Sequence, residues 1–151
     1  MRSHRLSIWA ITLRAAMVAG VYGFPVAVAV AQPALPADAL RLTSSEIVAA
    51  FSDVRDQGEV QDGSGGVAEN HWFADGRFRS EWRSAAGTGI VTGRWRAAGD
   101  MRCIIIDSGL PEREGAEVCT PIYRLGDRYI SVNPSGTVHG LHTLSPMETV
   151  R

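Results

Sequence analysis

Glu69 and His71 stand two residues apart, and a carboxylate beside an imidazole is the smallest pair that can pass a proton. On a β-strand, residues two apart share a face, so the pair is expected to point together into the fold. Ser80 and His139 are placed to join them from neighbouring strands. A few polar groups converging in an apolar interior make a ligand pocket. Trp82 and Trp95 are expected to wall that pocket. The run His139-Gly140-Leu141-His142 has a metal-like look, but residues three apart on a strand face opposite ways, so no metal site and no cofactor is expected. Nucleophilic catalysis finds no support. No serine lies in a Gly-x-Ser-x-Gly elbow, and Gly63-Ser64-Gly65-Gly66 lacks the lysine and following helix of a phosphate loop. No catalytic residue is assigned, and an enzyme is the least favoured class.

A second group is cationic. Arg77, Arg79, Arg94 and Arg96 fall on alternate positions of two successive strand-like runs. The expected pairing sets Arg79 opposite Arg94 and Arg77 opposite Arg96, with Trp72 beside Arg79 for a cation–π contact. Directly opposed like charges are unfavourable in a sheet. Either acids interleave, with Glu81 the nearest, or the face meets an anionic partner.

These residues need strands to position them. From Gly58 onward apolar residues recur every second position, and turns punctuate the chain at Asp62–Gly66, Asp75-Gly76, Ala86–Thr88, Ala98–Asp100, Gly126-Asp127 and Pro134–Gly136. Short strands at regular spacing with glycine-rich turns predict a mainly β domain: an antiparallel up-and-down meander of about eight strands, a barrel or barrel-like sheet. Treating Asp75-Gly76 as a two-residue turn pairs Phe73 with Phe78 and His71 with Ser80. Phe73, Phe78, Trp82, Val91 and Trp95 then share the interior face, and the turn at Ala98–Asp100 places Cys103 beside Trp95. Cys103-Ile104-Ile105-Ile106 is apolar on both faces, so its outer side needs cover. The amphipathic run from Ser44 to Val54 is the candidate. Thr43 and Glu46 form a capping box, and Leu42 and Ile47 a hydrophobic staple, opening one N-terminal helix packed on the sheet.

The first 31 residues read as a signal peptide. Arg2, Arg5 and Arg14 precede or open an apolar stretch to Val30, and Ala29-Val30-Ala31 precedes Gln32, the small-x-small pattern that places a cut between Ala31 and Gln32. Interruptions at Gly20, Gly23 and Pro25 argue against a retained span, so no membrane crossing is expected after cleavage. Residues 32–41 are expected to be a flexible tether, 42–145 one domain and 146–151 a tail. After the cut, twelve arginines face sixteen acids, a net charge of about −4 that speaks against nucleic-acid binding. Cys103 and Cys119, an even pair in an exported chain, are expected to form a disulfide contributing about 3 kcal/mol in the chain-entropy account.

The marks Leu42-Thr43-Ser44-Ser45-Glu46-Ile47, Asp75-Gly76-Arg77-Phe78, Gly93-Arg94-Trp95, Cys103, Cys119-Thr120-Pro121-Ile122-Tyr123-Arg124, Gly126-Asp127-Arg128-Tyr129 and Gly136 resemble a family of small, exported, uncharacterised proteobacterial proteins. The Gly-x-Trp element also resembles lipocalin-like barrels. The resemblance implies a small periplasmic β-rich domain with one disulfide and brings no catalytic residue with it. The expectation is therefore a periplasmic or secreted bacterial binding module, acting as a monomer on a small amphipathic ligand or an envelope protein. The alternative is a protein inhibitor or interaction module working through the loop Leu110–Gly115 or the arginine surface.

Overall fold

From Val54 the chain alternates apolar and polar residues and breaks at glycine-bearing turns, so it pairs with itself as successive hairpins. The computed structural model describes residues 33–147; the expected signal peptide and its cut at Ala31-Gln32 lie outside them. The elements are β1 (Leu40–Arg41), α1 (Ser44–Phe51), β2 (Val54–Val60), β3 (Val67–Trp72), β4 (Arg77–Ser84), β5 (Gly87–Ala98), β6 (Met101–Ser108), a 3-10 turn (Pro111–Arg113), β7 (Glu117–Thr120), β8 (Ile122–Leu125), β9 (Arg128–Val132) and β10 (Val138–Pro146). They form one strongly curled antiparallel sheet in the order β1-β8-β9-β10-β2-β3-β4-β5-β6-β7. Only Pro121 separates β7 from β8. One bent strand thus serves β6 with its first half and β9 with its second, and brings the two ends of the sheet round toward each other. This is the expected barrel-like meander.

The up-and-down path sorts the turns. Those between β2 and β3, β4 and β5, β6 and β7, and β9 and β10 lie at one end. Those after β3, β5 and β8 lie at the other, with α1. Thr43 caps α1: its Oγ1 accepts the Glu46 N–H at 3.4 Å, and Glu46 accepts the Thr43 N–H at 2.8 Å. The helix stops at Phe51, three residues earlier than the spacing suggests, because Asp53 turns left-handed at φ 55°. Asp100 in the β5–β6 turn accepts the Ser44 N–H at 2.8 Å and donates its own N–H to Ser44 Oγ at 2.9 Å. So pinned, α1 packs against β5 and β6 on the concave side. Phe51 meets Trp72, Tyr129 and His142 edge-on at ring centroid distances of 6.0, 5.7 and 6.4 Å. The helix plugs one end of the barrel; it does not shield the outer side of β6, as the sequence suggested.

Three registers differ from expectation. The β3–β4 loop has three residues, Ala74-Asp75-Gly76: Phe73 donates to Arg77 O and Gly76 to Phe73 O, both at 3.0 Å, with Gly76 at φ 86°. Trp72 therefore pairs with Phe78, Asn70 with Ser80 and His71 with Arg79. One extra turn residue reverses every side chain of β3. Trp72 and Asn70 go inside, while Glu69, His71 and Phe73 go outside. Between β4 and β5 the turn is Ala85-Ala86, two residues shorter than the expected pairing of Arg79 with Arg94 requires, and Phe78 pairs with Gly93 and Trp82 with Gly89. An even shift keeps the faces, so Phe78, Trp82, Val91 and Trp95 do look inward together. Between β5 and β6 the turn is Gly99-Asp100, both left-handed. Trp95 then faces Ile104 and Cys103 faces Arg96, so Cys103 lies on the outer face, not beside Trp95. There it is bonded to Cys119 directly across from β7, as expected.

Residues 33–41, expected to be a loose tether, make specific contacts. Pro33 O accepts the Val138 N–H at 3.1 Å, Ala34 bridges Thr137, and β1 pairs with β8. Leu35 and Ala39 cover a second apolar cluster of Ile130, Val132 and Val138. Because Ile130 and Val132 alternate with inward-facing Tyr129 and Ser131, this cluster lies on the outer face.

Phe51 is fully buried at the plugged end, with Ile47 of the same helix, so Phe51→Ala is expected to cost about 3–5 kcal/mol in urea unfolding. A loss below about 1 kcal/mol would mean that the plug is not part of the core.

Candidate functional site

Beyond the plug the barrel is hollow. The space is about 460 Å³ and is lined from β2 to β7, β9 and β10, within the range of small-molecule sites, about 300–1,000 Å³. Its walls are mostly apolar, among them Trp82, Val91, Ile104 and Ile106, and its rim carries Leu110, Arg113, Val118, Pro134 and His139. The rings sit where the opposite strand has no side chain. A Cβ on Gly93 would lie 2.6 Å from Phe78, and one on Gly89 2.7 Å from the Trp82 indole nitrogen. A wider groove of about 950 Å³ also touches Glu69, Glu81 and Arg83, but these side chains are solvated, and the buried polar groups belong to the hollow.

Those buried groups lie toward the plug. Asp56 on β2 is 0 % exposed, Ser131 on β9 1 %, Arg102 on β6 4 % and His142 on β10 7 %. Asp56 Oδ2 accepts from Asn70 Nδ2 and Trp72 Nε1, each at 3.0 Å. His142 Nδ1 lies 3.0 Å from the same oxygen, and His142 Nε2 is 3.0 Å from Ser131 Oγ. Burial pushes the Asp56 carboxyl up. The His142 charge and hydrogen bond, the Arg102 charge and the Trp72 N–H outweigh it, and the pKa ends below the ordinary value. Asp56 is ionised and accepts the Nδ1 proton of His142, while Nε2 on the far side of the ring meets the Ser131 hydroxyl. That is the acid–base–hydroxyl order of a nucleophilic triad. Gly140 leaves room for the ring. A Cβ at position 140 would sit 3.1 Å from Ser131 Oγ and 3.2 Å from His142 Nε2.

Arg102 stands beside this chain. Its guanidinium carbon is 4.4 Å from the Trp72 ring centroid and 4.7 Å from that of Phe51. Among the described residues no group meets its Nε or Nη1. Such unmet buried donors cost about 1–3 kcal/mol each. Burial pulls its pKa down to about 10, with Asp56 acting against the shift, so it stays charged at neutral pH. Trp82 Nε1 also lacks a partner among the described residues.

The residues expected at the site divide. Ser80, Trp82 and His139 line the hollow. Trp95 faces inward but packs at the plugged end, donating its indole N–H to Phe73 O at 2.9 Å. Glu69 and His71 do pair, at 3.2 Å, but on the outer face, because of the β3 register. Trp72 is likewise not beside Arg79 outside; it is in the core. On the outer face Arg77 opposes Arg94, and Arg79 opposes Thr92. Acids interleave throughout: Arg77 pairs with Asp75, Arg79 with Glu81, Arg94 with Asp107 and Arg96 with Glu117. The loop Leu110–Gly115 folds onto the rim, with Gly115 N donating to Ile106 O at 2.9 Å. His142 spends both ring nitrogens inside, so it does not share a ligand with His139. The cysteine sulfurs near Glu117 are joined to each other and offer no thiolate. Asp56, Asn70, Arg102 and Ser131 escaped sequence reasoning. The one usable sign was Arg102 itself, a charge two residues before Ile104 in the most apolar strand.

The chain matches no protein family, no curated protein and no solved structure in these comparisons.

The folded pKa of Asp56 lies below its unfolded value, so its contribution is complete at neutral pH. It begins to go as pH falls past about 4 and is gone below the folded pKa. Asp56→Asn is expected to lower stability at neutral pH by about 3–5 kcal/mol and to flatten the acid limb of urea midpoints against pH. Parallel limbs in variant and wild type would contradict this.

Proposed function

We propose that this protein is an exported bacterial binding module, periplasmic or secreted, that holds one small, largely apolar ligand in its barrel. The hollow carries the reading: it is closed by α1 at one end, rimmed by loops at the other, and walled by apolar side chains around a few buried polar groups. Preformed cavities of this kind bury most of a ligand's surface without rearrangement. The disulfide and the basic, then apolar N-terminal sequence closing in Ala29-Val30-Ala31 support the address. A neutral fluorescent probe, N-phenyl-1-naphthylamine, is expected to bind once per chain and to raise the melting temperature. Ile104→Trp, which fills the hollow, should weaken probe binding by more than about tenfold without lowering stability. No probe binding, and no melting shift with envelope lipid extract, would remove the reading.

A second reading rests on the Ser131–His142–Asp56 chain, whose hydrogen-bonded order suits acyl transfer. The Ser131 hydroxyl would attack an ester carbonyl, His142 taking its proton and returning it to the leaving alcohol. A fluorophosphonate probe should then label Ser131 in the wild type and not in His142→Ala. An unlabelled wild type under conditions where the neutral probe enters the hollow would make the chain purely structural.

A further inference from the structure

We propose that the ligand is an amphiphile whose single negative charge, a carboxylate, seats on Arg102. The inference rests on the cup reading above and names its ligand class. Arg102 is 4 % exposed and lines the hollow. Its guanidinium carbon is held against the Trp72 and Phe51 rings, so its position is set before any ligand arrives. Among the described residues Arg102 forms no ion pair, and its Nε and Nη1, packed out of contact with open space, meet no acceptor. The nearest carboxylate does not satisfy them. The Asp56 oxygens already collect Trp72, Asn70 and His142. A carboxylate entering from the hollow would meet the part of the guanidinium that lines it and supply the missing counter-charge, and a charge-assisted bond in a water-poor site is stronger than one in water.

The surroundings narrow the class. Above Arg102 the walls are apolar, with Val91, Ile104, Ile106 and Trp82 toward the rim. A tail of methylenes fits them and a second charge does not. One buried cation matches one negative charge, which favours a carboxylate over a phosphate dianion or a nucleotide. Ser80 and Asn70, also on this lining, offer further donors to a head group.

The test compares decanoate with 1-decanol, of equal chain length, by displacement of the neutral probe from the oxidised protein. Wild type is expected to bind decanoate at least about tenfold more tightly than decanol, as a bond to a charged group implies. Arg102→Met, which keeps a flexible stem against Trp72 and Phe51, should lose that preference and keep decanol binding. Should it not fold, Arg102→Lys serves: it keeps the charge and should retain a reduced preference for decanoate. Acetate should compete only weakly, since the tail contributes as well. Equal binding of decanoate and decanol by wild type would overturn the anion site and leave the cup standing. Failure of both ligands and of the neutral probe would overturn the cup as well.

Discussion

A carboxylate with no contact with water must be surrounded by donors, and Asp56 organises the barrel in meeting that demand. Trp72 and Asn70 reach it from β3 and His142 from β10, and Ser131 on β9 completes the far side of the imidazole. Four strands are thereby fixed in register around one side chain. A β3 slipped by one residue would turn Trp72 and Asn70 outward and leave Asp56 with His142 alone. The same charge favours a cation nearby, and Arg102 supplies it from β6. Phe51 then covers the assembly from the helix side, edge-on to Trp72 and His142 and beneath the guanidinium.

This arrangement divides the interior in two. At the helix end aromatic rings and the polar cluster fill the space. Toward the other end Gly89 lets Trp82 lie flat against the facing strand, as Gly93 does for Phe78 nearer the plug, and the centre stays open. An aromatic ring over a cross-strand glycine satisfies packing on the wall without projecting into the middle. The hollow follows from where bulk is spent, since rings laid along the sheet line a cavity that upright side chains would fill.

The outer face is held by other means. Arg77 and Arg79 are drawn to carboxylates two residues away, Arg94 to one on the neighbouring strand and Arg96 to one two strands over. Exposed pairs of this kind contribute about 0–1 kcal/mol, so they keep the face soluble and orderly more than they stabilise it. The apolar cluster around Ile130 and Val132 is covered by Leu35 and Ala39 from the segment before β1. The disulfide ties the short edge strand β7 to β6, next to the bend at Pro121 where the strand changes partners.

Local patterning was sufficient for the strands, the capped helix, the paired cysteines and the shared inward face of Phe78, Trp82, Val91 and Trp95. Each of these depends on periodicity or on residues a few positions apart. The polar site was not legible, because it joins Asp56, Arg102, Ser131 and His142 across separations of up to 86 residues, and nothing local distinguishes them from surface polar residues. Ala74-Asp75-Gly76 shows how slight the deciding difference can be. A turn of two or of three residues suits the same letters, yet the choice decides whether His71 or Trp72 enters the core. The large buried indole, with Asp56 waiting for its N–H, settles that choice, and such a preference exists only once distant strands have come together.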